Sequence, residues 1–153
     1  MEMNKIKGDL IKLAIEGEFD LIIHGCNCFC TMGAGIAKTI KQTFPEAYKA
    51  DLATEKGSKS KLGTISWAKS STKNGELIVV NGYTQFNWRG SGRKADYEAI
   101  REVFKTVKEE FSGLRIAYPA IGAGLARGNW QVISEIIEEE LKGEDHTFVE
   151  YQQ

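Results

Sequence analysis

Long hydrophobic runs are missing from this sequence. Nowhere do the roughly 20 consecutive apolar residues of a membrane-spanning helix occur, and the opening Met1-Glu2-Met3-Asn4-Lys5 lacks the apolar stretch of a secretory leader. An excess of positive charge is missing too. The 20 basic residues stand against 21 acidic ones, for a formal net charge of −1, so no overall field gathers nucleic acid or an anionic membrane. An anionic ligand has to be caught by local donors. Cysteine is absent outside one pentapeptide, which holds Cys26, Cys28 and Cys30, and three thiols packed so closely do not suit a secreted disulfide framework. A soluble protein of a reducing, cytoplasmic compartment is expected.

The same cysteines with His24 could be read as a metal cluster. In an extended chain, however, side chains at i and i+2 stand roughly 6.6 Å apart, whereas thiolates sharing one zinc lie within about 4 Å of each other. They are therefore read as small buried or loop-lining residues, and neither metal nor cofactor is expected. No linker or low-complexity stretch divides the 153 residues, so a single domain over 1–153 with one core is expected.

Three nearly continuous apolar runs, Phe19–His24, Leu77–Val80 and Leu114–Tyr118, predict strands covered on both faces. Weaker candidates at Asn4–Lys7, Gly63–Ala68 and Thr147–Tyr151 suggest edge positions. Between them run helical stripes. Tyr97, Ile100, Phe104, Val107 and Phe111 recur at spacings of three and four, as do Trp130, Ile133, Ile137 and Leu141 behind Asn129 as N-cap. A further stripe of Ile36, Ile40 and Phe44 is interrupted by Pro45 and resumes through Tyr48 and Leu52. Alternating strands and helices predict an α/β sandwich around a largely parallel sheet of about six strands. The polar stretches Glu55–Lys61, Ser70–Gly75 and Arg89–Lys94 are expected as exposed loops.

Against this background one motif occurs twice: Gly33-Ala34-Gly35-Ile36-Ala37 recurs as Gly122-Ala123-Gly124-Leu125-Ala126, each copy after a strand and before a helical stripe. Glycines at such junctions let consecutive N–H groups turn inward as an anion-binding nest, and a helix N-terminus adds unpaired donors. Neither copy has the Lys-Ser/Thr ending of a P-loop or completes Gly-x-Gly-x-x-Gly. Two nests in matching contexts can grip two phosphates. Asn27, just before the first, can donate to and accept from vicinal ribose hydroxyls, or form a capped turn. Asp9 can meet an exocyclic amine or cap the helix after it, and Tyr151 offers a ring for stacking a purine or simply packs.

In order and spacing these motifs resemble the macrodomain family over nearly the whole chain. Lys7-Gly8-Asp9-Leu10 looks like the family's Gly-Asp-Ile/Leu, whose aspartate meets adenine. His24-Gly25-Cys26-Asn27 with Met32 to Ala37 looks like the loop carrying the distal-ribose asparagine and the first phosphate cradle; Pro119-Ala120-Ile121-Gly122-Ala123-Gly124-Leu125 looks like the second cradle. The resemblance implies a three-layer α/β/α sandwich with a mixed, mostly parallel sheet, and ADP-ribose lying across the strand ends. It implies ligand contacts at Asp9, Leu10, Gly33, Ala34, Gly35, Ile36, Ala37, Ile121, Gly122, Ala123, Gly124, Leu125 and Tyr151. His-x-Cys-Asn-Cys before the glycines is similar to the branch that removes phosphate from ADP-ribose 1''-phosphate without metal. That likeness casts Asn27 as a ribose and water positioner and His24 as a general acid/base, with a satisfied core histidine as the other reading of His24. A second branch, which cleaves ADP-ribose from acidic side chains, uses a lysine and an aspartate where this chain has Gln85 and Ala126, though Lys94 could approach from its own loop. Nucleic acid is expected only as an ADP-ribosylated substrate, and a module that merely binds the nucleotide is the third possibility.

Overall fold

The computed structural model describes residues 3–90 and 92–152. Ser91, within the Arg89–Lys94 stretch, and Met1 and Glu2, within the opening segment, lie outside the described residues. One sheet organises the rest. Its six strands are β1 (Asn4–Gly8), β2 (Leu21–Cys26), β3 (Ile65–Thr72), β4 (Gly75–Tyr83), β5 (Ile116–Tyr118) and β6 (His146–Tyr151), in the order β1-β6-β5-β2-β4-β3. All neighbours are parallel except β3 and β4, which form an antiparallel hairpin.

Helices cover both faces, because β2 and β5 are apolar on both. From one face of β2, Leu21 and Ile23 pack with Ile116 and Tyr118 under α4 (Tyr97–Phe111) and α5 (Trp130–Glu140). Ile22 and Cys26, on the opposite face, pack with Val79, Tyr83 and Ala117 under α1 (Leu10–Ile15), α2 (Gly35–Thr43) and α3 (Pro45–Leu52). The expected three-layer α/β/α sandwich is thus the observed one. Local chemistry sets the boundaries. Asp9 caps α1, Asp96 caps α4 and Asn129 caps α5 through side-chain oxygens, while Pro45 at the first position of α3 divides it from α2.

Three details differ from the sequence expectation. Residues 70–72 and Gly75 belong to the hairpin, with Thr72 opposite Gly75, rather than to a loop; polar side chains do not stop a ladder whose outer face meets water. The Glu55–Lys61 stretch is not uniformly exposed: its end forms a short 3-10 turn, Lys59–Lys61, and Lys61 is buried against Asp51. Lastly, β6 is internal, since β1 pairs along its outer side.

Candidate functional site

At the carboxyl ends of the parallel strands, β2 leads to α2 on one face of the sheet and its neighbour β5 leads toward α5 on the other. Diverging connections from adjacent strands open a crevice, the place where α/β sheets hold ligands. Here it is a cavity of about 660 Å³, within the ordinary range of roughly 300–1,000 Å³ for small-molecule sites. Both glycine motifs line it: Gly33 to Ala37 on one wall, and Ile121, Gly122, Gly124, Leu125 and Ala126 on the other. They meet across the mouth. A Cβ built on Gly35 would stand 3.6 Å from Leu125 Cδ1.

The two loops are built differently. In the first, Gly35 takes φ +58° and opens α2, whose N-cap is Ala34 and which has no side-chain cap. Among the described residues the N–H groups of Gly33, Ala34, Gly35, Ile36 and Ala37 have no protein acceptor, so a helix terminus with its dipole faces the cavity unspent. The second loop is a closed turn: Gly128 N–H donates to Gly122 O at 2.6 Å, and Arg127 N–H to Gly124 O at 3.0 Å. Gly122, at φ +75°, is wedged among Ala95, Ile100 and Ile133. Among the described residues the N–H groups of Gly122, Gly124, Leu125 and Ala126 likewise lack an acceptor. The helix after this loop starts only at Trp130 and is capped by Asn129. Only the first copy is therefore a helix-terminus site.

Asn27 lines the cavity and also forms a turn, accepting from Phe29 N–H at 2.8 Å and donating to Thr31 Oγ1 at 2.7 Å. One amide hydrogen and one lone pair remain to it, so its two sequence readings coexist. His24 is placed elsewhere. It is fully buried, is not among the residues lining the cavity, and has Nε2 2.7 Å from Asn81 Oδ1. Burial pushes its pKa down to about 4, the Asn81 contact opposing only part of that. This geometry is that of the core histidine, the other reading of His24: the imidazole meets Asn81 and lies outside the cavity wall, so its placement lends no support to the general acid/base reading.

Asp9, Leu10 and Tyr151 lie together where β1 and β6 end, but outside the cavity wall. Asp9 Oδ1 takes both cap bonds, from Ile11 and Lys12 N–H, and Leu10 is in the core, whereas Tyr151 is exposed. Sequence reasoning missed Thr31, Asp51, Thr84 and Trp88, which the fold brings to the wall. Trp88 lies edge-on to Phe29 at 5.7 Å; a tryptophan in a basic, glycine-rich loop was its one available signal. Gln85, Ala126 and Lys94 line the wall as well. Among the described residues no three His, Cys, Asp or Glu side chains converge on a metal position, and no helix is long and apolar enough to cross a membrane.

The family model of the Macro domain matches residues 23–137, from within the second strand into the last helix, and thus covers both glycine loops. The chain belongs to the Macro domain family. This macrodomain is 36% identical to an uncharacterized 17.5 kDa protein of the tk–vs intergenic region of Enterobacteria phage T4, over 90% of this chain and 89% of that one. It is 28% identical to the ADP-ribose glycohydrolase OARD1 of Bos taurus, over 92% and 84%. A third relative, an ADP-ribose 1''-phosphate phosphatase of Meyerozyma guilliermondii, is 40% identical over 48 residues only, 31% of this chain and 27% of its own. Among solved structures, a protein of unknown function from Bacteroides thetaiotaomicron superposes with a TM-score of 0.77 at 28% identity, covering 98% of both chains.

Proposed function

We propose that residues 1–153 act as one macrodomain that binds ADP-ribose, with the diphosphate between the two glycine loops. The observation that carries this reading is their meeting across one crevice, Gly35 against Leu125, with unspent N–H donors on both sides. Phosphate oxygens accept what these loops donate. The distal ribose then lies toward Asn27 and Thr84, and the adenine runs toward the ends of β6 and β1, where Tyr151 is exposed and the cap occupies only one oxygen of Asp9.

The reaction assigned to this site is hydrolysis of ADP-ribose 1''-phosphate to ADP-ribose and phosphate, without metal, in the cytoplasm. The short stretch shared with the Meyerozyma phosphatase supports it, as does the lack of a lysine nucleophile and its aspartate, Gln85 and Ala126 standing in their places. With His24 in the core, stabilisation of charge falls to the backbone N–H groups and positioning to Asn27. A second reading, removal of ADP-ribose from modified protein or nucleic acid, is favoured by Lys94 in the cavity wall and by the glycohydrolase relative.

Calorimetry with ADP-ribose, run beside a phosphate-release assay on ADP-ribose 1''-phosphate in chelator, tests the whole. Binding with release supports the phosphatase, and binding with release of ADP-ribose from a modified carrier that Lys94→Ala abolishes supports the second reading. Binding with neither makes the domain a nucleotide reader. No binding at all overturns the proposal.

A further inference from the structure

The cavity wall contains a buried carboxylate that neither glycine motif accounts for. Asp51, the second-last residue of α3, is 1% exposed, while its neighbour Leu52 is 52% exposed. Its two oxygens have different surroundings. Oδ1 carries the structural links: Tyr83 donates its hydroxyl to it at 2.7 Å, and Lys61 Nζ stands 3.6 Å away. These tie α3 to β4 and to the Lys59–Lys61 turn. Oδ2 is equally buried and has no hydrogen-bond partner among the described residues. A buried acceptor on a charged group is costly to leave unmatched, and such groups call for an explanation.

The missing partner must be a donor, because an ionised carboxylate only accepts. A phosphate is excluded from this position by charge and belongs instead at the N–H groups of the glycine loops. A sugar hydroxyl fits. Asp51 also sits against the segment that carries Asn27, since Cys30 Sγ donates to Asp51 O at 3.2 Å and Lys61 reaches Cys28 O at 3.4 Å. The cavity thus has an anion-binding stretch between its loops and, on the β2 and β4 side, an amide and a carboxylate suited to hydroxyl groups.

We infer that Asp51 is a specificity-determining residue, whose Oδ2 accepts a hydrogen bond from a hydroxyl of the ligand's terminal sugar beside Asn27. The inference rests on the ADP-ribose reading above. It requires that Asp51 discriminate ligands carrying that sugar from those that end at the diphosphate. Titration calorimetry of wild type and Asp51→Asn with ADP-ribose and with ADP, which lacks the terminal ribose, measures this directly. The expected result is that Asp51→Asn weakens ADP-ribose binding about tenfold or more, the loss of one charged hydrogen bond, and leaves ADP binding unchanged. Equal weakening of both nucleotides, or of neither, overturns the inference while leaving the proposed function standing. Wild-type protein that binds neither nucleotide overturns both. Should Asp51→Asn fail to show a cooperative melt, Tyr83→Phe keeps the carboxylate but unfastens Oδ1. The same selective loss of ADP-ribose is expected there, and parallel loss of ADP again overturns the assignment.

Discussion

His24 and Asn81 form one buried pair on adjacent strands, with Nε2 2.7 Å from Oδ1. Asn81 in turn donates to Ala47 O at 2.9 Å and to Ser66 Oγ at 3.0 Å. The imidazole is thus part of a polar strut that joins β2, β4, β3 and α3 beneath the cavity.

Acid should loosen that strut. His24 titrates near pH 4 in the folded chain and near 6.5 once unfolded, so between these values the unfolded state binds the extra proton. Stability is full above about pH 6.5 and declines as pH falls toward 4, by up to about 3 kcal/mol from this group. Urea unfolding at pH 7 and pH 5 should show the decline, and His24→Gln, which keeps a donor for Asn81, should flatten it. An unchanged slope in that variant would assign the acid sensitivity to other groups.

The glycines of the second loop separate folding from binding. Gly122 holds φ +75°, and a Cβ there would stand 3.1 to 3.2 Å from Ile133, Ala95 and Ile100. Gly122→Ala should therefore cost about 1–3 kcal/mol in stability. Gly124 has neither a positive φ nor any atom within 4 Å of its Cβ position. Gly124→Val should melt like wild type, within about 0.5 kcal/mol, yet lose the stabilisation of roughly 2.7 kcal/mol that ADP-ribose confers at about 100 times its dissociation constant. Thermal shift with and without nucleotide reads both effects.

Asp9 offers a similar separation. Asparagine caps helices as well as aspartate does, so Asp9→Asn should preserve the melting temperature but weaken ADP-ribose binding several-fold if the uncapped oxygen meets adenine. Alanine at the same position should lower stability by about 1 kcal/mol. Affinity unchanged in the asparagine variant would leave this residue with its capping role alone.

The thiols should be silent in the native protein. Burial raises the Cys26 pKa far above the ordinary range and pushes Cys28 up to about 11, and all three cysteines are buried. Little thiolate of Cys26 or Cys28 exists at neutral pH. Alkylation by iodoacetamide should follow unfolding, with modification rising only in denaturant.

Much of this was legible in the sequence for identifiable reasons. Two-sided burial of β2 and β5 leaves unbroken apolar runs, and the facing glycine loops repeat a motif, so both are marked in the sequence itself. Gly35 needs its unusual backbone angle, as expected for a glycine entering a helix. What escaped reading depends on partners distant in the chain. Asp51 and Lys61 look like solvent-facing residues of a helix and a polar loop until each is seen to bury the other's charge. The strut is hidden in the same way, because nothing local marks Asn81 as the neighbour of a histidine 57 positions away.

The unequal construction of the two loops gives the cavity a polarity along its length. A whole helix points its positive end at one wall, while the other offers only the local dipoles of a tight turn. A diphosphate between these loops would have two inequivalent seats. Its two phosphates carry equal charge, so the field of α2 fixes where the group sits, while the unlike ends of the ligand, base and sugar, decide which phosphate takes which seat.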